Sequence, residues 1–384
     1  MRVVHIVRQF HPSVGGLEDT VLSLARAQRD RLGLDARVVT LDRVFGSQAR
    51  LPHAELVHGV PVRRLAWAGS QRYPLAPSVL RNLQHADLLH VHAIDFFFDF
   101  LALTRLVHRR PMIATTHGGF FHTSRFRAAK KIWMQTITRA SIRGYQRIVA
   151  CSHSDAEMFQ PLASERLMLI ENGITQEKFG AASSVTPTKT ILSFGRFARH
   201  KRTDQILRVF QALRAIDSEW RLIIAGRDAD QTAVQLGDLA QQLGISDGVE
   251  IVQNPSDEML RALMGRASFY GSLSAYEGFG LAAVEGMSAG LIPILSDIPA
   301  FVRLVTSGGV GLNVDAENPA AVAQSIVDFF ARHREFYDSY RGRAMAVALR
   351  YDWREVAAQY ASLYNTATGR ETALQPVVRS GIAD

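Results

Sequence analysis

The chain has 384 residues, 47% of them hydrophobic and 21% charged, a globular composition too long for one ordinary core, so two domains are expected. Forty-four Lys and Arg against 36 Asp and Glu leave a net charge of +8, and a single cysteine, Cys151, excludes a disulfide framework within the chain. The apolar opening is too short for a signal peptide. Residues 94–107, the most apolar later stretch, hold Asp95, Asp99 and Arg105 and are too short to span a bilayer, so a soluble or peripheral cytoplasmic enzyme is expected.

In chain order, Val3–Val7 reads as a strand, followed by a loop ending in Gly15-Gly16 and a helix of apolar period from Leu17 to about Arg31. Arg37–Leu41, Leu88–Val91, Met112–Thr116 and Arg147–Ala150 read as further strands. The small, polar, proline-bearing run at 183–188 reads as a linker, after which the pattern restarts. Strands at 190–194, 221–225, 249–252, 268–270 and 292–295 alternate there with helices at 203–215 and 232–243. Strands alternating with helices predict parallel βαβ units, hence an α/β protein of two doubly wound domains with a cleft between them. Ligands of such sheets sit beyond the carboxyl ends of the strands, so the loops there matter most.

Charge is uneven. Residues 1–180 hold 24 basic and 14 acidic residues, and 181–384 hold 20 and 22. Between Asp99 and Asp155 lie ten basic residues and no acidic one. Among them Arg125, Arg127, Lys130 and Lys131 are interleaved with Phe120, Phe121, Phe126, Ile132 and Trp133. Basic residues beside aromatics suit an anionic lipid surface; a solvated helix face is the plainer alternative, and nucleic acid is disfavoured for want of a recognisable module.

Several loops carry candidate chemistry. Paired Gly15 and Gly16 before a helix let backbone approach a phosphate or sugar, although a structural turn accounts for them equally well. In Gly195-Arg196-Phe197-Ala198-Arg199-His200-Lys201-Arg202, basic residues crowd a helix start, which opposes the dipole unless an anion is present; a diphosphate between Arg196 and Lys201 meets that need. Glu277 precedes the glycine-rich turn Gly278-Phe279-Gly280, and Glu285 follows about two turns into the next helix, so the turn's amides and both carboxylates suit sugar hydroxyls. His117, at a strand end, is placed to donate to a sugar or phosphate oxygen or to transfer a proton. Ser152, in Cys151-Ser152-His153-Ser154, and Asn172, before Gly173, follow the same logic more weakly. Asp228-Ala229-Asp230 lacks the neighbouring carboxylates of a metal site, and nothing near Cys151 activates a thiolate.

These residues together resemble the retaining family-4 glycosyltransferases of GT-B fold, two Rossmann-like domains facing across a deep cleft. Glu277 to Glu285 is similar to the family's E-x7-E signature; Gly15-Gly16, His117, Asn172-Gly173, Gly195-Arg196 and Lys201 resemble its other landmarks in order, and the likeness runs to about residue 365. The resemblance implies that Arg196 and Lys201 bind the donor diphosphate. It further implies that Glu285 meets the ribose and Glu277 the sugar hydroxyls, with the segment from Gly278 to Leu281 supporting sugar and phosphate. His117 and Gly16 would face sugar and acceptor, Ser152 and Asn172 would line the donor site, and no metal or other cofactor is implied. It also implies an N-terminal acceptor and membrane-facing domain at 1–182, a nucleotide-sugar domain at 189–365, and a tail at 366–384 that returns to the N-domain or is disordered.

The opening Val4–Glu18, with Thr116–Thr123, is similar to the mannosyltransferases of xanthan-type and acetan-type polysaccharide assembly. That likeness implies GDP-mannose as donor, an α-1,3 linkage, a cellobiosyl-diphosphoprenol acceptor, and a peripheral position on the cytoplasmic face of the bacterial inner membrane. The alternatives are a UDP-sugar transferred to a phosphatidylinositol or lipopolysaccharide-type acceptor, or a non-catalytic binder of anionic surfaces.

Overall fold

The apolar runs become parallel strands in the computed structural model, which describes residues 1–118 and 132–370. The chain divides into two compact units: Met1–Gly173 joined by the chain from Trp353 onward, and Ile174–Asp352.

The first unit is built on β1 (Arg2–Ile6), β2 (Asp35–Leu41), β3 (Ala54–Val57), β4 (Val60–Leu65), β5 (Ala68–Ser70), β6 (Tyr73–Leu75), β7 (Leu88–His92), β8 (Met112–Thr115), β9 (Arg147–Ala150) and β10 (Leu167–Leu169). Its main sheet runs β10-β9-β8-β7-β1-β2-β4-β3, parallel except for β3, and β5 and β6 form a separate antiparallel pair. Alternation along β1 sends Val4 and Ile6 into a core with Leu89, Val91 and Phe97, and Val3 into one with Leu88, Ile113, Trp353 and Tyr360. The helix Gly16–Leu32 stops where Gly33, at φ 62, caps the Gln28 carbonyl, a left-handed conformation that favours glycine.

The second unit holds β11 (Thr190–Phe197), β12 (Arg221–Asp228), β13 (Val249–Gln253), β14 (Phe269–Ser272), β15 (Ile292–Ser296) and β16 (Leu312–Val314), ordered β13-β12-β11-β14-β15-β16 and parallel throughout. Helices such as Thr203–Ile216 and Pro319–His333 close one core around Leu192, Phe210, Ile223 and Ile294.

Three expectations change. The run 183–188 is no free linker: Ser183 N donates to Ala289 O (2.8 Å), Thr188 N to Ser268 Oγ (2.7 Å), and Tyr337 Oη to Ser184 O (2.9 Å). Its polar backbone is consumed by the second unit, so the boundary falls at residue 173 rather than 182. The expected end at 365 also shifts, because the helix Trp353–Thr368 packs its buried Trp353, Tyr360 and Tyr364 into the first unit. Of the expected tail, 366–370 belongs to that return, Arg370 pairing with Asp87 (2.9 Å), and 371–384 lies outside the described residues. No helix among the described residues is long and apolar enough to cross a membrane.

Candidate active site

In the second unit the carboxyl ends of β11, β12 and β14 open on a small pocket lined by Gly195, Arg196, Lys201, Tyr270 and Ser272. Gly195 stands at φ +143, a conformation suited to glycine, as β11 ends. Arg196 is exposed, with no ion-pair partner among the described residues. Lys201 is not free for an anion alone: its Nζ meets Glu277 Oε1 at 2.5 Å, with side-chain exposures of 22% and 12%. Ser274 Oγ donates to the same oxygen (2.9 Å), and Ser296 Oγ fixes the Ser274 carbonyl (2.6 Å). Arg202 is likewise paired, with Glu317 at 2.6 Å. Lys201 and Arg202 thus have carboxylate partners, whereas the Arg196 and Arg199 side chains have none among the described residues.

Gly280 caps the helix Leu281–Ala289 in the left-handed region (φ 94), and a Cβ there would approach Phe301 Cε1 to 2.7 Å, so both backbone and packing demand glycine. The amides from Gly278 to Leu281 find no backbone acceptor among the described residues, as expected at a helix start, and constitute a positive end for a phosphate or sugar oxygen. Phe279 contributes only its amide, because its ring is buried edge-on against Tyr351. Glu285 lies one turn into the helix; burial raises its carboxyl above the ordinary range, Lys178 opposing and Asp257 reinforcing the shift. Burial first, then the charges of Glu277 and Glu285, push the Tyr270 phenol upward, so both carboxylates lie within electrostatic reach of one ring. The Asp228 and Asp230 carboxylates are spent on local bonds, Asp228 to Ala233 N and Gln253 Nε2 and Asp230 to Arg199 N.

In the first unit, His117 follows β8 in the left-handed region (φ 50), with Gly118 at φ 83. Such a conformation costs energy in a non-glycine residue and needs support. Asp155 supplies it, accepting from Thr116 Oγ1 (2.6 Å), Gly118 N (2.8 Å) and Cys151 Sγ (3.3 Å). Burial and Asp155 raise the Cys151 thiol, which removes it as a nucleophile. Ser152, by contrast, is a buried helix cap whose Oγ accepts from Asp155 N (3.2 Å), so its hydroxyl already serves the fold. Gly15 caps the helix Gly16–Leu32 with extended backbone, and Gly16 has open space where a Cβ would stand. Asn172 is partly exposed, and Gly173 is fixed by packing, a Cβ there reaching Trp353 at 2.5 Å.

Of the expected membrane-facing residues, Arg125, Arg127, Lys130 and Lys131 lie outside the described residues, and Trp133 is 40% exposed. Ile132, expected with it, and Ile137 are exposed as well, and the structure adds Leu103, Leu106 and Val107, exposed apolar residues that no sequence signal singled out. Arg105, Arg109, Arg139 and Arg143 stand exposed among them, Arg105 Nη1 reaching Arg143 O at 3.4 Å.

Family profiles match both units, "Glycosyltransferase Family 4" over residues 14–178 and "Glycosyl transferases group 1" over 175–343. The chain is 56% identical over 370 residues to a GDP-mannose:cellobiosyl-diphosphopolyprenol alpha-mannosyltransferase of Komagataeibacter xylinus, covering 96% of this chain and 94% of that protein. The chain belongs to glycosyltransferase family 4. A Xanthomonas campestris protein of the same name is 45% identical to this glycosyltransferase, covering 96% of this chain and 98% of the relative. A solved glycosyltransferase from Rickettsia africae ESF-5 matches with a TM-score of 0.73 at 16% identity, covering 96% of this chain and 99% of that one. The fold is accordingly GT-B, made of two Rossmann-like domains.

Proposed function

We propose that this glycosyltransferase moves mannose from GDP-mannose to cellobiosyl-diphosphopolyprenol with retention, forming an α-1,3 linkage. The observation that carries this reading is the 56% identity, over 96% of the chain, to the Komagataeibacter xylinus enzyme of that name. In the reaction the bond from the mannose anomeric carbon to the diphosphate breaks and a bond to the acceptor hydroxyl oxygen forms. The hydroxyl proton passes to the departing diphosphate, the acceptor attacking from the face it leaves. Arg196, Lys201 and the amides at the start of the helix Leu281–Ala289 neutralise the leaving diphosphate. Positive groups so placed supply the stabilisation a divalent cation would otherwise give. Glu285 accepts from the ribose and Glu277 from the sugar, while His117 meets a substrate hydroxyl.

The exposed Leu103, Leu106, Val107, Ile132 and Trp133, with the exposed Arg105, Arg109, Arg139 and Arg143 close by in the chain, suit the surface of an anionic membrane, where a polyprenyl-linked acceptor resides. We place the enzyme on the cytoplasmic face of the bacterial inner membrane, with no nucleic-acid partner. The test offers radiolabelled GDP-mannose, with UDP-glucose and UDP-galactose in parallel, to membranes holding the lipid-linked disaccharide in the presence of EDTA. Labelled mannose in the organic-extractable product is expected. Transfer from a UDP-sugar instead would keep the family and overturn the mannose assignment.

A further inference from the structure

Behind His117 a chain of hydrogen bonds runs into the first unit. His117 Nε2 meets His92 Nδ1 at 2.9 Å, His92 Nε2 meets His5 Nδ1 at 2.9 Å, and His5 Nε2 meets Gln28 Oε1 at 2.8 Å. From Gln28 Nε2 a second arm continues to Tyr364 Oη, His90 Nδ1 and, from His90 Nε2, Thr115 Oγ1, each step 2.8 Å. Strand register assembles it: His5 of β1 is paired with His90 of β7, and His92 follows two residues on, on the same face. The helices Gly16–Leu32 and Trp353–Thr368 bring Gln28 and Tyr364 onto that face. His5, Gln28, His90, His92, Thr115 and Tyr364 are all fully buried, whereas His117 is partly exposed. His5, His90 and His92 lie close enough to share an ion, but both ring nitrogens of each already take a protein partner.

Gln28 gives this chain a direction. A hydroxyl or a neutral imidazole exchanges donor and acceptor by moving a proton; an amide does not, because its oxygen only accepts and its nitrogen only donates. Facing Gln28 Oε1, His5 Nε2 carries the proton and Nδ1 is bare. His92 Nε2 therefore carries its proton toward His5, and His117 Nε2 carries its proton toward His92. Burial holds all four rings neutral, His5 and His117 falling to about 4 and His90 and His92 also lying well below 6.5, so each ring has one proton to place. We propose that Gln28, acting through His5 and His92, locks His117 in the Nε2–H tautomer, so that His117 presents Nδ1 as a hydrogen-bond acceptor for a hydroxyl of the glycosyl substrate. Gln28, His5 and His92 are then positioning residues for the reaction. The substrate half of this inference rests on His117 meeting substrate as described above; the tautomer does not.

The test begins with the intact enzyme, labelled with 15N-histidine. Long-range 15N–1H correlation spectra at neutral pH, assigned through His117→Ala, are expected to show a protonated Nε2 and a bare Nδ1 on His117. An Nδ1–H or doubly protonated His117 overturns the proposal, since it means the amide is reversed or the chain carries an added proton. In Gln28→Leu, with folding checked by thermal melt, a mixture of tautomers is expected. The transfer kcat should fall by the share of the Nε2–H tautomer lost, about two- to tenfold for a mixture, while the donor KM holds within about threefold. Scrambled tautomers with unchanged kcat overturn the link to catalysis. Full activity in His117→Ala overturns the reading of His117 as substrate-facing and leaves the tautomer result standing.

Discussion

Lys201 and Glu277 each act as the other's counter-ion, at 2.5 Å and with little exposure, so neither can be removed without stranding a half-buried charge. In the proposed reaction a diphosphate arriving beside Arg196 would share Lys201 with Glu277 and leave Glu277, still held by Ser274, to accept from a sugar hydroxyl. Lys201→Ala should therefore lower kcat/KM for the donor by about 10²–10³-fold, as removal of one stabilising donor does in other enzymes. Steady-state kinetics, run on protein whose melting temperature is shown to be retained, decide it, and a loss under tenfold would remove Lys201 from the reaction. At this scale the sequence is informative where glycines punctuate the motif, as at Gly195 and at 278–280. The support for Glu277 from Ser274 and for the His117 loop from Asp155 is not, because serine and aspartate in loops are common and only the folded chain aims them. The histidine chain is harder still, joining His5 to His92 across 87 positions and Gln28 to Tyr364 across 336. Its one sequence trace is histidine standing where β1 and β7 otherwise carry aliphatic residues.

Among the elements, the helix Phe96–Leu103 buries Phe97, Phe98 and Leu101, yet its last residue Leu103 and, in the short helix Arg105–His108 that follows, Leu106 and Val107 face outward at 82%, 79% and 72% exposure. An apolar group left in water gains about 25 cal/mol per Å² when lipid covers it, and the neighbouring arginines add attraction to anionic headgroups. Leu106→Asp should therefore reduce co-sedimentation with vesicles containing phosphatidylglycerol at least about fivefold, leaving turnover of a water-soluble acceptor analogue unchanged. Equal binding by both proteins would rule out this patch as the membrane face. The long parallel strands are legible because they are apolar runs between turns. The pair β3 and β4 is not, since β3 alternates between partly and fully exposed positions and leaves only a faint apolar signal at the sheet edge.

For the whole molecule, the buried histidines make the first unit acid-sensitive. His5 and His117 titrate at about 4 in the folded chain, against 6.5 unfolded, and His90 and His92 shift the same way. A depressed folded value means that the unfolded chain takes up the proton first. The stability is intact above pH 6.5 and is lost as pH falls toward 4, by roughly 1.4 kcal/mol per pH unit for each histidine. Asp95, raised by burial to about 7, and Asp99, also raised by burial, work in the opposite direction, but two carboxyls are set against four rings. Melting followed by circular dichroism should show the first unit's transition at least about 5 °C lower at pH 5 than at pH 7.5, and coincident melts would contradict it.

The return of the helix Trp353–Thr368 has a consequence for biosynthesis. The second unit is an insertion: Ile174 and Asp352 bridge side by side where the chain enters and leaves it, and Gly173 lies against Trp353. A nascent chain can complete the entire second unit while the first still lacks Tyr360, Tyr364 and one wall of its core, so the half translated first is the last to mature.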